Sequence, residues 1–257
     1  MHRQFLYIIF IVLAASCRPA KIVKAEDVLY PMKNDSLGID SVVYKMIQPY
    51  KAKVDGAMGE QLVTSSIEFP APDRKNIATE SLLGNLLADI FLSTGRDNYK
   101  PADGKNIDFV LMNTGGIRTS LPKGVITTRN VFEVLPFDNR LVVVTLSGDS
   151  TQALLNYIAN KGGDPVAGIQ MGIKEKKPVD VLIKGVPFDK AKTYKVLTND
   201  FCATGGDQMW FFTGAKEYTD LNIILRDAVI DLLRQYGSRG IELSSQFDNR
   251  IYKADAR

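Results

Sequence analysis

The residues best suited to chemistry lie in three loops, "MNTGGIR", "LPFDN" and "NDFCATGGD". Each follows or interrupts an apolar stretch, and together they offer Asn113, Arg118, Asn139 and Asp207 beside two phenyl groups, Phe137 and Phe201. Paired glycines, as at Gly115 and Gly116 or Gly205 and Gly206, let the backbone take positive φ or come close to a ligand. Two rings converging on one site can hold a planar heterocycle between them, with stacking worth roughly 1–3 kcal/mol per base. An amide, a guanidinium and a carboxylate would then supply polar anchors. Taken singly, each residue has a plainer reading: a phenylalanine in the core, an arginine in a surface ion pair, "TGGD" as an ordinary turn ahead of Trp210. The combination carries the inference, which is a site for an aromatic base.

Other chemistries are poorly supplied. The sequence has one histidine, His2, and two cysteines, so imidazole and thiolate metal sites of the zinc type are excluded, as are mixed carboxylate and imidazole sites for two metals. A Ser-His-Asp triad cannot be assembled, and neither a "GxSxG" nor a P-loop pattern occurs. Asp and Glu are scattered singly, as on solvated faces. Cys202 would need a base to act as a nucleophile, so a small buried apolar residue is the better reading for it. No catalytic residue and no metal ligand is assigned. The chain reads as a binder, or part of an enzyme, more than as a complete hydrolase.

The elements around these loops fit one folded domain. With 257 residues, 45% of them hydrophobic, the chain can bury a large core without disulfides. Its net charge of +3 is spread over 32 basic and 29 acidic residues, which gives nucleic-acid polymers little to bind and still suits a small anion. The opening "MHRQFLYIIFIVLAASC" carries Arg3, an apolar run too short to span a bilayer, and small residues before Cys17. It reads as an export signal over residues 1–16 whose "LAASC" resembles a bacterial lipobox, with lipid on Cys17. That use of Cys17 leaves Cys202 alone, without a disulfide. A polar tether over residues 17–40 then leads into a domain over residues 41–253, placing the protein outside the cytoplasm, on a membrane by its lipid.

Within that domain, Ser41 to Tyr50 has amphipathic helical spacing, "EQLVTSSIEF" reads as a strand and "PAPDRKN" as a loop. "TESLLGNLLADIFLS" is a helix with Thr79 or Ser81 as cap, and Gly84 within it marks close packing against a neighbouring backbone. "IDFVLMN", "NRLVVVTLSG" and "KTYKVLTNDF" are strands that run into or out of the three loops. Thr127 or Thr128 caps a short helix stopped by Pro136; "DSTQALLNYIANKG" and "NIILRDAVIDLLRQYG" are longer helices, the last closed at Gly237. The irregular alternation predicts an α+β fold, one domain with a mixed sheet packed by helices.

The three loops in this order, with "SLLGNLLAD" upstream and "VAGIQMGI" between the second and third, resemble the C-terminal substrate-binding domain of the 5'-nucleotidase and UDP-sugar hydrolase family, from roughly Tyr44 to Arg250. The resemblance implies that Phe137 and Phe201 are the base-stacking rings, with Asn139 beside the base. It implies that Asp207 takes the ribose hydroxyls, that Asn113 and Arg118 lie near ribose and phosphate, and that Gly163 falls near the base edge.

Two departures stand out. The family places arginine just before the "GN" helix to grip phosphate, whereas this chain has Ile77 and Thr79 there, with Arg74 and Lys75 out of register. The family's two-metal hydrolytic centre belongs to a preceding metallophosphoesterase domain, which is not recognised here. The expectation is therefore a nucleotide-binding or nucleoside-binding half of a split 5'-nucleotidase. It would need no cofactor of its own, and its partner would be a separate metallophosphoesterase chain carrying divalent metals. A nucleoside-capture lipoprotein without an enzymatic partner, and a degenerate scaffold domain, are the alternatives.

Overall fold

Asp40 starts the first helix of the computed structural model, which describes residues 38–73, 75 and 78–254. The expected export signal, Cys17 and its lipid, most of the expected tether, and Arg74 and Ile77 lie outside the described residues. The chain divides into two units, Met1–Gln48 and Pro49–Arg257. In the first, the Asp40 carboxylate accepts from the N–H groups of Val42 and Val43 at 2.8 and 3.2 Å, capping helix α1 (Ser41–Met58), whose residues from Pro49 onward belong to the second unit. Pro49 sits within this helix, where its missing N–H removes a rung of the hydrogen-bond ladder. None of the residues of α1 is buried.

The second unit continues, in chain order, with β1 (Gln61–Ser65), α2 (Leu82–Asn98), β2 (Phe109–Leu111), β3 (Gly124–Thr127), α3 (Thr128–Val134), β4 (Arg140–Ser147), α4 (Gly148–Lys161), β5 (Val166–Ala167) and β6 (Ile169–Lys174). Then follow β7 (Lys177–Ile183), β8 (Val186–Pro187), β9 (Thr193–Asn199), α5 (Asp200–Ala203), β10 (Glu217–Ile224), α6 (Leu225–Ser238) and β11 (Ile251–Lys253). Helix starts follow their caps. Ser81 Oγ accepts from Gly84 N–H at 3.0 Å, Ser147 Oγ from Ser150 N–H at 3.1 Å, and Thr127 forms a reciprocal capping box with Asn130. Gly162, at φ +99°, closes α4 in the left-handed conformation.

The five-stranded sheet has the order β10–β4–β9–β2–β5, with β2 parallel to β9 and the other neighbours antiparallel. Both of its faces are covered, which is why "LVVVTL" in β4 is apolar without alternation. Leu141 and Val143 join a core with Leu83, Leu87, Phe91 and Val110 beneath α2, and with Val229 and Leu233 of α6. Val142, Val144 and Leu146 face a second core with Phe109, Leu154, Ile158, Met171 and Phe212. A two-stranded sheet, β1–β3, and a four-stranded sheet, β11–β6–β7–β8, complete an α+β architecture.

Several local expectations change. The strand read over "EQLVTSSIEF" ends at Ser65, and Phe69 makes only an isolated bridge to Leu121. Gly84 meets the capping Ser81 hydroxyl and the Pro165 ring rather than a neighbouring backbone. The helix read from Asn222 starts at Leu225, because "EYTDLNII" pairs with β4 as β10. Gly237 does not close α6. It lies inside the helix, where an added Cβ would come within 1.9 Å of the Leu62 carbonyl oxygen, so glycine is there for close approach to β1.

Candidate functional site

The topology brings the three loops to one end of the five-stranded sheet. The ends of β2 and β9 leave that edge together because the strands are parallel, and the antiparallel β4 begins there, with Leu141 opposite Asn199. β5 also begins there, with Val166 opposite Leu111, and β10 ends there, with Ile224 opposite Arg140. All five strands thus send a segment to the same edge.

Phe137 precedes β4 and Phe201 sits on α5 after β9; the residues are 48% and 45% exposed, so neither is closed into the core. Their segments are tied by the Asp200 carboxylate, whose Oδ1 accepts from Arg140 N–H at 3.2 Å and from Phe201 N–H at 2.8 Å. The Phe137 loop is held from α6. Leu225 N–H donates to the Asn139 carbonyl at 3.0 Å, and Arg226 donates to the Leu135 carbonyl at 3.3 Å and to Asp138 while stacking 4.1 Å from the Phe132 ring centroid. Arg118 lies 5.8 Å from the Phe137 ring centroid and donates to the Gly115 carbonyl at 3.3 Å.

Asp207 reaches the same edge from a strained turn. Its φ of +51° and that of Gln208, +64°, are left-handed without glycine. Tyr157 donates its hydroxyl to the Asp207 carbonyl at 3.0 Å, and Asn113 Nδ2 donates to Asp207 Oδ2 at 2.7 Å. Burial, helped by the Asp164 and Asp207 carboxylates, pushes the Tyr157 phenol well above its usual range, which keeps it a donor.

The glycines follow from these contacts. A Cβ at Gly115 would come within 2.8 Å of Asp207 Oδ2, one at Gly206 within 2.5 Å of the Phe201 ring, and one at Gly205 within 2.6 Å of the Trp210 ring. Phe201 and Trp210 therefore pack on bare backbone at the two glycines between them. Cys202, fully buried below, has its thiol pushed up to about 12 by burial and the nearby Asp207 charge, so it is an inert core group at neutral pH.

Phe137, Asn139 and Asn113 line one cleft with Gly116, Asn199 and Leu225. Its free space, about 20 Å³, admits about one water, so the cleft itself is too small to enclose anything larger. Gly163 goes elsewhere. At φ +147° it packs on the backbone of Ala78 and Thr79, lining a second cleft with Ser81, Thr114 and Asp164; Pro165 borders both clefts. Asp164 is buried there, accepting from Thr114 N–H at 3.0 Å, from the Thr114 hydroxyl at 2.5 Å and from Lys161 at 2.6 Å. Burial raises its carboxyl against the opposing pull of Lys161 and Thr114. A more voluminous groove, about 900 Å³ and open to solvent, runs over β7 past Val179, Val181 and Tyr252, away from the three loops.

Asn199, Asp200, Tyr157 and Arg226 were not anticipated among the site residues. For Asn199 and Asp200 a local signal existed, since "TND" ahead of an apolar run is a helix-cap pattern. Tyr157 and Arg226 act across the fold and leave no local trace.

The comparisons bear on the family and the fold. The model of the family described as "5'-nucleotidase, C-terminal domain" matches residues 59–216. Protein UshA of Escherichia coli (strain K12) is 35% identical over 156 residues, 59% of this chain and 27% of that protein. A 5'-nucleotidase of Vibrio cholerae serotype O1 is 26% identical over 200 residues, 76% of this chain and 34% of that one. The crystal structure of a 5'-nucleotidase precursor from Thermus thermophilus matches with a TM-score of 0.68 at 27% identity, covering 84% of this chain and 44% of that one. This chain spans less than half the length of each of these relatives. A match over well over half its residues, on an α+β fold shared with a solved relative, makes the chain a member of the 5'-nucleotidase C-terminal domain family.

Proposed function

We propose that this chain binds the nucleoside end of a nucleotide and presents it to a separate metallophosphoesterase chain, as one half of a split 5'-nucleotidase. The observation that carries this reading is the pair of half-exposed rings, Phe137 and Phe201, on tied strand ends beside the oriented Asp207 carboxylate. Phe137 and Phe201 hold the base, Asn139 lies beside it, Asp207 accepts from the ribose hydroxyls, and Asn113 and Arg118 attend the ribose and phosphate. Among the described residues no group of three His, Cys, Asp or Glu side chains is placed to hold a metal ion. The donor set thus does not fit a resident two-metal centre, and the reading assigns the metals, the attacking water and the bond cleavage to the partner. An export signal and a lipid on Cys17 would hold the protein at a membrane outside the cytoplasm. Among the described residues no helix is long and apolar enough to cross one.

Calorimetric titration with adenosine and AMP tests the binding. Both are expected to bind wild-type protein and to bind more weakly, though measurably, to Phe201→Ala, with no hydrolysis of AMP or UDP-glucose in the presence of divalent metal. Metal-dependent turnover by the pure chain would end the division of labour. A second reading, a nucleoside-capture lipoprotein, draws on the phosphate side: Thr79 stands where the resemblance expects an arginine, and Lys161 is committed to Asp164. Under that reading adenosine binds at least as tightly as AMP, and no metallophosphoesterase co-purifies.

A further inference from the structure

Asn199 is 1% exposed and Asn113 is 5% exposed, and the two form a hydrogen-bonded chain with one allowed direction. Asn199 Oδ1 accepts from Cys202 N–H at 2.8 Å, and because a backbone N–H can only donate, the amide must face it with oxygen. Asn199 Nδ2 is then turned to Asn113 Oδ1 at 3.1 Å, with Met112 Sδ at 3.8 Å as its other neighbour. Asn113 Nδ2 is left to donate to Asp207 Oδ2 at 2.7 Å, and an ionised carboxylate can only accept. The orientation of both amides is thus forced from each end, by the cap of α5 and by Asp207.

We infer that Asn199 is a positioning residue: through Asn113 it locks the Asp207 carboxylate in place for a vicinal diol, and couples that carboxylate to the cap of the helix bearing Phe201. This rests on the proposed function, since the diol is that of the ribose. Backbone strain at Asp207 gives the lock its purpose, because a left-handed aspartate needs outside contacts to hold one carboxylate orientation. Among the described residues, the hydrogen bonds ending on that carboxylate leave Oδ1 to the ligand.

Asn199→Ser separates this role from simple capping. Serine keeps the cap on Cys202 N–H and adds no charge, but is too short to reach Asn113. The first readout needs no ligand: by NMR, the Asn113 side-chain amide protons are expected to exchange with water at least about tenfold faster in the variant. The second compares adenosine with 2',3'-dideoxyadenosine. The wild-type preference for the diol, read as the ratio of the two affinities, is expected to fall by about tenfold. Asn199→Asp, which keeps the cap but offers Asn113 an acceptor instead of a donor, is expected to lower the preference in the same way. Unchanged exchange and an unchanged preference in Asn199→Ser would overturn the inference. Faster exchange in a protein that binds neither nucleoside would uphold the coupling of Asn199 to Asp207 and overturn the nucleoside reading instead.

Discussion

Gly206 offers a way to move the Phe201 ring without touching its chemistry. Its φ lies outside the left-handed region, so alanine brings no backbone strain, and the atoms nearest to an added Cβ belong to the Phe201 ring, whose Cε1, Cδ1 and Cζ atoms would lie at 2.5–2.6 Å. Ordinary carbon contacts are about 3.5–4.0 Å, so the ring must retreat by about an ångström or swing into solvent. It can do so cheaply because it is 45% exposed. Gly206→Ala should therefore leave thermal stability almost unchanged, or slightly raised by the lower entropy of the unfolded chain, about 0.4–1 kcal/mol. Binding should suffer the loss of one stacking face, roughly 1–3 kcal/mol, which is about five-fold to 140-fold in Kd. The assay is calorimetric titration with adenosine on wild-type, Gly206→Ala, Phe201→Ala and the double variant. If alanine acts only by evicting the ring, the double variant binds no worse than Phe201→Ala alone. Wild-type affinity in Gly206→Ala, or fully additive losses in the double variant, would refute the placement of Phe201 as a stacking face held over Gly206.

Thr127→Ala removes one half of the Thr127–Asn130 capping box and should cost about 0.5–2 kcal/mol, read as a lower urea midpoint with an unchanged slope. In a Cys17→Ser background, Cys202 should resist an aromatic disulfide reagent at neutral pH in the native state and react fully once denatured, since its thiol is buried and pushed up to about 12. Arg250 donates to Asp248 at 2.7 Å and to Asp89 at 2.9 Å, and holds the Asp248 carboxyl below its usual range. A depressed folded value contributes stability that is present above the unfolded pKa, about 3.9, and is lost as pH falls through the folded value. Melting temperatures followed downward from about pH 5 should fall below about pH 4, and less steeply in Arg250→Met than in wild-type.

Much of the scaffold was readable because its signals are local. Helix α4 announces itself by Ser147 at its start and Gly162 at its end, and β4 by an apolar run that only a sheet covered on both faces allows. The hairpin of β6 and β7 was not, because its two turn residues, Glu175 and Lys176, take φ of +49° and +60° without the glycine or asparagine that marks such a turn. β10 was merged with α6 because Leu221, Ile223 and Ile224 continue the apolar spacing of the helix across the boundary. At the site, Phe201 and Asp207 stood out beside paired glycines, and Phe137 as an aromatic in the loop "LPFDN" ahead of an apolar run. The residues that hold them in place were hidden, since Asn199 finds Asn113 across 86 residues and Tyr157 finds Asp207 across 50.

The pairing of β2 with β9 bears on how the protein is made. Lys195 N–H bonds the Asp108 carboxylate 87 residues earlier, and Asn113 reaches Asp207 across 94. Closing such loops is entropically costly and slow, so the sheet edge cannot serve as an early, local nucleus. On the ribosome, a chain that has emerged only as far as α4 carries Phe137 and Asn113 with nothing opposite them. Until β9 slots between β2 and β4, Asn113 has neither Asn199 nor Asp207 to bond.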